Sequence, residues 1–182
     1  MRMFAAAKEV HIWCEKTPMY VHHLTLLSEA YPNARFLHII RDGRDCAASF
    51  HRRWKFNPVR TIYRWKQAVR AGRAQGLLLG SRYHEIRYES LTKAPEPTFQ
   101  EICEFLGIPF ESTILSSARS RADKTRTNIQ VVVPNVKTAS QYFDAKQLAK
   151  IESVAGQCLS ELGYVCDHQS TGDKNPPRYM LR

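Results

Sequence analysis

No C-x-x-C pair, no H-E-x-x-H motif and no apolar run of membrane-spanning length occur in this chain of 182 residues, and each absence argues against a class of protein. The longest apolar stretch falls far short of the roughly 18 residues expected of a membrane helix. Met1 to Val10 has its charges too close together, and its apolar stretch too short, for a secretory signal. The five cysteines (Cys14, Cys46, Cys103, Cys158, Cys166) are odd in number and widely spaced, so they read as reduced core thiols rather than a disulfide framework or zinc site. His22 and His23 are adjacent and point about 100° apart on a helix, so they cannot chelate as an i, i+4 pair does. No structural metal is expected, and no internal repeat is visible. Acidic residues are scarce as well: 17 Asp and Glu face 27 Lys and Arg, for a formal charge of +10.

What is present suits one folded domain. Hydrophobic residues make up 43% and charged residues 24%, ordinary for a chain long enough to bury a core. The positive excess is concentrated. Between Arg41 and Arg87 twelve Lys or Arg residues face only Asp42, Asp45 and Glu85, a local balance of +9. Such a stretch is either a solvated basic face or a site for a polyanion, and charge alone does not distinguish a nucleotide from RNA or lipid.

Val10 to Cys14 reads as a short buried strand. Thr17-Pro18 has the form of an N-cap with proline at the first helical position, opening a helix to about Tyr31 with Leu24, Leu27 and Tyr31 on one stripe. Phe36 to Ile40 is a nearly continuous apolar run, as in a parallel strand covered on both faces. A helical segment follows Arg41-Asp42-Gly43 to about Trp54, then a second helix spans about Val59 to Ala74. Ser81 to Tyr88 reads as another strand. Phe99, Ile102, Cys103 and Leu106 keep helical spacing ahead of a capping Gly107. Asp144 and Gln147 form a capping box for a last helix with Leu148, Ile151, Ala155, Leu159 and Leu162 on its stripe and Gly163 at its end. The alternation predicts an α/β fold with a mainly parallel sheet. Arg119 to Val136 reads as a basic loop. Residues 1–166 are expected to form one domain and 167–182 an irregular tail.

Ligands of open α/β sheets collect beyond the carboxyl ends of strands. Arg41 stands there, after Phe36–Ile40, where a permanently charged guanidinium can bind a phosphate through two parallel hydrogen bonds. Ser49, two turns into the next helix, is a candidate donor to the same oxygens. Asp42 and Asp45 fit the task of orienting Arg41 and Arg44. The competing reading is a surface salt bridge, worth about 0 to 1 kcal/mol.

Glu15-Lys16-Thr17-Pro18, Tyr31-Pro32-Asn33-Ala34-Arg35-Phe36-Leu37, and Ile40-Arg41-Asp42-Gly43-Arg44-Asp45 with Ser49, taken in this order and spacing, resemble the central block of sulfotransferases that use 3′-phosphoadenylyl sulfate (PAPS). Arg87-Tyr88-Glu89-Ser90-Leu91, then Pro95 and Phe105-Leu106-Gly107-Ile108-Pro109-Phe110, resemble the family's next segment. The C-terminal part, Pro134 to Tyr142, Leu162-Gly163-Tyr164 and Asn175-Pro176-Pro177 with Tyr179, is similar to protein-tyrosine sulfotransferases. The resemblance implies that Arg41 and Ser49 hold the donor's 3′-phosphate and that Tyr88 lies against adenine. It makes Arg53, Thr127, Asn128 and Asn135 further nucleotide contacts and Lys16 the catalytic lysine. Gln141 departs from the lysine of the family's pattern.

The same resemblance implies a partial P-loop-type sulfotransferase fold, a parallel sheet flanked by helices. The residues before Lys16 contain no glycine, so the family's first strand and Gly-rich phosphosulfate loop are expected to be missing, as in a truncated chain. The general base, a glutamate on the helix after that loop in the tyrosine-sulfating enzymes, is absent with it. In the small-molecule branch a histidine follows the lysine by two positions, but Pro18 stands there, and His22 and His23 read as helix-surface histidines. The implied partners are PAPS or its product 3′-phosphoadenosine 5′-phosphate (PAP) and a hydroxyl-bearing acceptor: protein tyrosine, carbohydrate or small molecule. No nucleic acid, metal or membrane segment is expected. The expected compartment is the cytoplasm, unless truncation removed an N-terminal anchor. The isolated chain is expected to bind the 3′-phosphoadenosine end weakly, with little turnover. Three alternatives stay open: a noncatalytic homologue, a basic nucleic-acid-binding module carrying Tyr63, Trp65 and Tyr88 among its arginines, and a kinase relative marked by magnesium dependence.

Overall fold

The apolar run Phe36–Ile40 forms strand β1 and Tyr83–Arg87 forms β2; they pair in parallel, in register from Phe36 opposite Tyr83 to Ile40 opposite Arg87. The computed structural model describes residues 12–113, 115 and 138–166. In chain order the other elements are a 3-10 turn at Pro18–His22, α1 (Leu24–Ala30), α2 (Gly43–Trp54), α3 (Pro58–Leu79), a 3-10 turn at Gly80–Arg82, α4 (Tyr88–Lys93), α5 (Pro95–Leu106), a 3-10 turn at Ala139–Gln141 and α6 (Ala145–Glu161). Helices α2 and α3 make the crossover that parallel pairing requires. The basic loop and the tail read from the sequence lie outside the described residues.

The core forms where α2, α3 and α6 meet. Ala47 and Ala48 from α2, Ile62 from α3, and Ile151, Ala155 and Leu159 from α6 join Ala139 and Phe143 in one buried cluster. The small residues of α2 let α3 approach closely. Helix α3 buries Ile62, Lys66, Val69, Gly72, Gly76 and Leu79, a stripe at intervals of three and four that runs past the expected end at Ala74. Asn57 caps it by accepting from the Arg60 amide at 3.1 Å, with Pro58 in the first turn. Helix α6 carries the expected capping box, with the Gln147 amide donating to Asp144 at 2.7 Å. All five cysteines are free.

Three sequence expectations need correction. Residues 12–14 are irregular and exposed, not strand, since neither β1 nor β2 pairs with them. Strand β1 is not covered on both faces: Ile40 is 4% exposed but Ile39 is 48% exposed. Helix α5 meets the Ile39 face through His84 of β2, which stacks on Phe105 and contacts Glu101 at 2.9 Å, and leaves Ile39 open. The helix expected from Thr17 to Tyr31 breaks at His23, with φ −137°. Gln75 of α3 enters the break: its Nε2 donates to the Val21 carbonyl at 3.1 Å and its Oε1 accepts from the Thr25 amide at 3.2 Å. Those two backbone groups are an i, i+4 pair that a continuous helix would join directly. Thr17 does take the N-cap position ahead of Pro18, but its side chain makes no capping bond; its hydroxyl donates to Glu15 at 2.6 Å.

Gly43, the first residue of α2, decides how closely α3 approaches the end of β1. A Cβ there would lie 2.5 Å from Ile62 Cδ1 and 2.5 Å from Trp65 Cδ2. Trp65 uses this closeness to donate its indole N–H to the Arg41 carbonyl at 3.1 Å. Gly43→Ala gains helix propensity but forces the tryptophan away, and the steric cost dominates. The variant is expected to lose about 1–3 kcal/mol of unfolding free energy, read as a lower urea midpoint; an unchanged or higher midpoint contradicts this account of the packing.

Candidate functional site

Arg41 follows Ile40 directly, so the β1–α2 junction presents it at the carboxyl end of the sheet. Its guanidinium lies 4.9 Å from the centre of the Tyr88 ring, on the first residue after β2. Because the strands are in register, these two residues leave the sheet side by side, and a cation over an aromatic face follows. Arg41 Nη2 also stands 3.6 Å from Asp45 Oδ2, an ion pair too long for a hydrogen bond. Arg41 Nε is buried and has no hydrogen-bond partner among the described residues. A buried donor without an acceptor is costly, by about 1–3 kcal/mol, and Arg41 is therefore short of an oxygen.

Two further carboxylates at this junction, Asp42 and Glu89, are already committed. Asp42 caps α2 by accepting from the Arg44 amide at 2.8 Å and pairs with Arg44 Nη2 at 2.8 Å. Arg44 continues to Glu152 of α6 at 2.6 Å and to the Val165 carbonyl at 2.9 Å. Its hydrogen bond to Asp42, above all, raises the guanidinium's already high pKa. Glu89 accepts from the Asp42 amide at 2.9 Å and from the Tyr164 hydroxyl at 3.0 Å. The Cys46 thiol is pushed up to about 12 by burial, so it stays protonated and unreactive.

Asp45, Ser49 and Arg53 follow Arg41 at steps of four and line one side of α2. Asp45 accepts from the Ala139 amide at 2.7 Å, which brings the turn at Ala139–Gln141 to this side. Ser49 is half-buried and makes no hydrogen bond among the described residues. Arg53 is exposed, with its guanidinium 4.9 Å from the Trp54 ring, next to an open cluster of Phe50, Trp54 and Phe56. Lys16 is exposed in the irregular segment before Pro18 and has no ion-pair partner among the described residues. Thr127, Asn128 and Asn135 lie outside the described residues. The structure thus brings Arg41 and Tyr88 into contact and sets Ser49 one turn beyond Asp45.

Glu89 and Tyr164 were not singled out as site residues from the sequence. Glu89 follows Tyr88 at a strand end, which is a signal, but nothing local pairs it with a residue 75 positions away. A cleft of about 530 Å³ opens elsewhere, between α3, β2 and the end of α6, lined by Arg70, Arg73, Tyr83, Glu85 and Cys158 among others. It does not include Arg41, Ser49 or Tyr88. No group of three or more His, Cys, Asp or Glu among the described residues could hold a metal, and no described helix is long and apolar enough to cross a membrane.

A parallel strand pair with helices packed around it defines an α/β protein, and Arg41 stands at the carboxyl end of a strand, where ligands of open α/β sheets collect. The chain belongs to the sulfotransferase family, whose model, described as "Sulfotransferase family", matches residues 2–112. It is 26% identical over 184 residues to protein-tyrosine sulfotransferase 1 of Danio rerio, covering 91% of this chain and 50% of that protein. It is 29% identical over 185 residues to protein-tyrosine sulfotransferase 2 of Gallus gallus, covering 91% and 48%. Protein-tyrosine sulfotransferase A of Caenorhabditis elegans is 29% identical over 184 residues, with 91% and 47% covered. The chain therefore spans about half the length of these curated relatives. Its fold is similar to the crystal structure of mouse sulfotransferase SULT7A1 complexed with PAP, with a TM-score of 0.53 and 15% identity over 75% of this chain and 65% of that one.

Burial, the largest influence, raises the Asp45 carboxyl above the usual aspartate range; the Ala139 amide and Arg41 oppose this, while Asp42 and Glu89 add to it. A carboxyl raised in the folded state holds its proton more tightly there than in the unfolded chain. Its contribution is present below the unfolded pKa and is lost as pH rises through the folded one. Asp45→Asn keeps an acceptor for Ala139 and removes the penalised charge. The thermal midpoint of Asp45→Asn, measured relative to wild type, is expected to climb from about pH 4 to about pH 7. A relative midpoint that falls across that window contradicts the assignment.

Proposed function

We propose that this chain carries the nucleotide-binding part of a sulfotransferase that moves the sulfuryl group of PAPS to a hydroxyl acceptor, with a protein tyrosine as the favoured acceptor. The observation that carries the reading is the Arg41 guanidinium at the end of β1, held against Tyr88 with a buried Nε that lacks an acceptor among the described residues. A phosphate oxygen supplies that acceptor and a double charge for the guanidinium to meet. The Ser49 hydroxyl, without a partner inside the described protein, is the second donor. Family membership and the PAP-bound structural neighbour support a 3′-phosphoadenosine ligand over other anions. The protein-tyrosine sulfotransferases among the relatives support a protein acceptor over a sugar.

In this reading Arg41 and Ser49 bind the 3′-phosphate, and the Tyr88 ring, with one face already under Arg41, offers its remaining surface to the purine. Arg53, Thr127, Asn128 and Asn135 complete the nucleotide contacts. Lys16, exposed and without a carboxylate partner among the described residues, supplies charge to the departing phosphate. Sulfuryl transfer asks a protein chiefly to position reactants and neutralise charge on spreading oxygens, which cationic side chains do without a metal.

Calorimetric titration with PAP tests the assignment. Arg41→Ala is expected to weaken binding by roughly 10- to 100-fold, the worth of charge-assisted hydrogen bonds, and Ser49→Ala by less than tenfold. Magnesium is expected to leave both affinities unchanged. Equal PAP affinity in wild type and Arg41→Ala would falsify the reading, as would the absence of PAP binding by the wild-type chain.

A further inference from the structure

The peptide unit joining Arg41 to Asp42 is gripped at both ends. Its carbonyl accepts the Trp65 indole N–H at 3.1 Å, and its N–H donates to Glu89 Oε1 at 2.9 Å. A planar peptide held at both polar atoms has its orientation set, and with it the direction in which the Arg41 side chain leaves the backbone. Glu89 also follows Tyr88 in the chain, so the residue that holds the backbone of Arg41 is covalently joined to the one whose ring meets its guanidinium. The second carboxylate oxygen is occupied as well: Oε2 accepts the Tyr164 hydroxyl at 3.0 Å.

Tyr164 is in turn tied to the end of β2. The Arg87 guanidinium lies 4.5 Å from its ring centre and donates to the Leu162 carbonyl. Burial and the Glu89 carboxylate raise the Tyr164 phenol, so it remains a donor across the neutral range. Both oxygens of Glu89 thus have partners, one at the strand end that presents Arg41 and one beyond α6.

We propose that Glu89 is a positioning residue for the anion site: through it the Tyr164 hydroxyl and the C-terminal segment set how Arg41 meets a bound phosphate. This rests on the nucleotide reading above and adds that the strength of the Arg41 contact depends on a residue that does not touch the ligand. A surface tie that merely holds the C-terminal segment would affect stability independently of Arg41. A positioning role makes the two residues' effects on binding non-additive.

The test is PAP titration on the full chain, with thermal midpoints recorded alongside. Glu89→Ala is expected to weaken PAP by about tenfold and Tyr164→Phe, which keeps the ring, by about threefold. Glu89→Gln is expected to stay within about threefold of wild type, since its carbonyl oxygen can accept from Asp42 while its amide donates to the Tyr164 oxygen. In the Arg41→Ala background neither Glu89→Ala nor Tyr164→Phe is expected to weaken PAP further. Unchanged affinity in folded Glu89→Ala and in Tyr164→Phe, or losses that multiply with that of Arg41→Ala, overturn the proposal. If Glu89→Ala does not fold, the cycle between Tyr164→Phe and Arg41→Ala decides the same question. Wild type that fails to bind PAP overturns the nucleotide reading and this inference together. PAP binding that is lost in Arg41→Ala but kept in both Glu89→Ala and Tyr164→Phe overturns this inference alone.

Discussion

Where β1 ends, its backbone leaves the parallel ladder and its polar groups need partners from elsewhere. Trp65 supplies a donor to the Arg41 carbonyl, Glu89 an acceptor for the Asp42 amide, and the Asp42 side chain an acceptor for the Arg44 amide. These three hydrogen bonds turn the chain from strand into α2 at a fixed angle. Gly43 makes the turn possible by leaving room for Ile62 and Trp65. The packing of α2 on α3, the placement of Tyr88 beside Arg41 and the approach of α6 all follow from that junction.

Charge is distributed unevenly around it. Arg44 is well satisfied: Asp42, Glu152 and the Val165 carbonyl take donors from all three of its nitrogens, and Glu152 is only 2% exposed. Buried pairs of this kind add little net stability, because desolvation offsets the attraction, but an unpaired partner would be expensive. Their effect is to set one register between α2 and α6. Arg41, three residues earlier, has among the described residues a ring, one long ion pair and a buried Nε without an acceptor. Two arginines of the same segment therefore differ in role because one is satisfied by the protein and the other is not. The basic surplus of the chain makes the neighbourhood hospitable to an anion, and in the proposed reading the unsatisfied donor is where that anion is held.

Periodicity carried the larger elements well. The β1 boundaries, the α5 stripe with Gly107 in the left-handed region at φ 69°, and the α6 capping box follow from local spacing and turn chemistry. The break at His23 did not, because its cause is the amide of Gln75, 50 residues from Thr25. Neither did the open face of β1: an apolar run says that a strand prefers cover, not that a helix will reach it. For the site, Arg41 and Tyr88 were legible as strand-end residues, and their contact requires the in-register pairing of β1 with β2.

The sequence by itself determined the family, the sheet type, the caps that end α5 and open α6, and the identity of the arginine at the end of the apolar strand, all properties of residues close together in the chain. Tertiary structure alone decided that Asp42, Glu89 and Tyr164 share one carboxylate, that Trp65 holds the Arg41 carbonyl, and that Arg44 rather than Arg41 is neutralised by Glu152. Hydrogen-bond partnership depends on separations of about 3 Å. Between residues 24 to 108 positions apart, only the packing of helices on the sheet brings atoms that close.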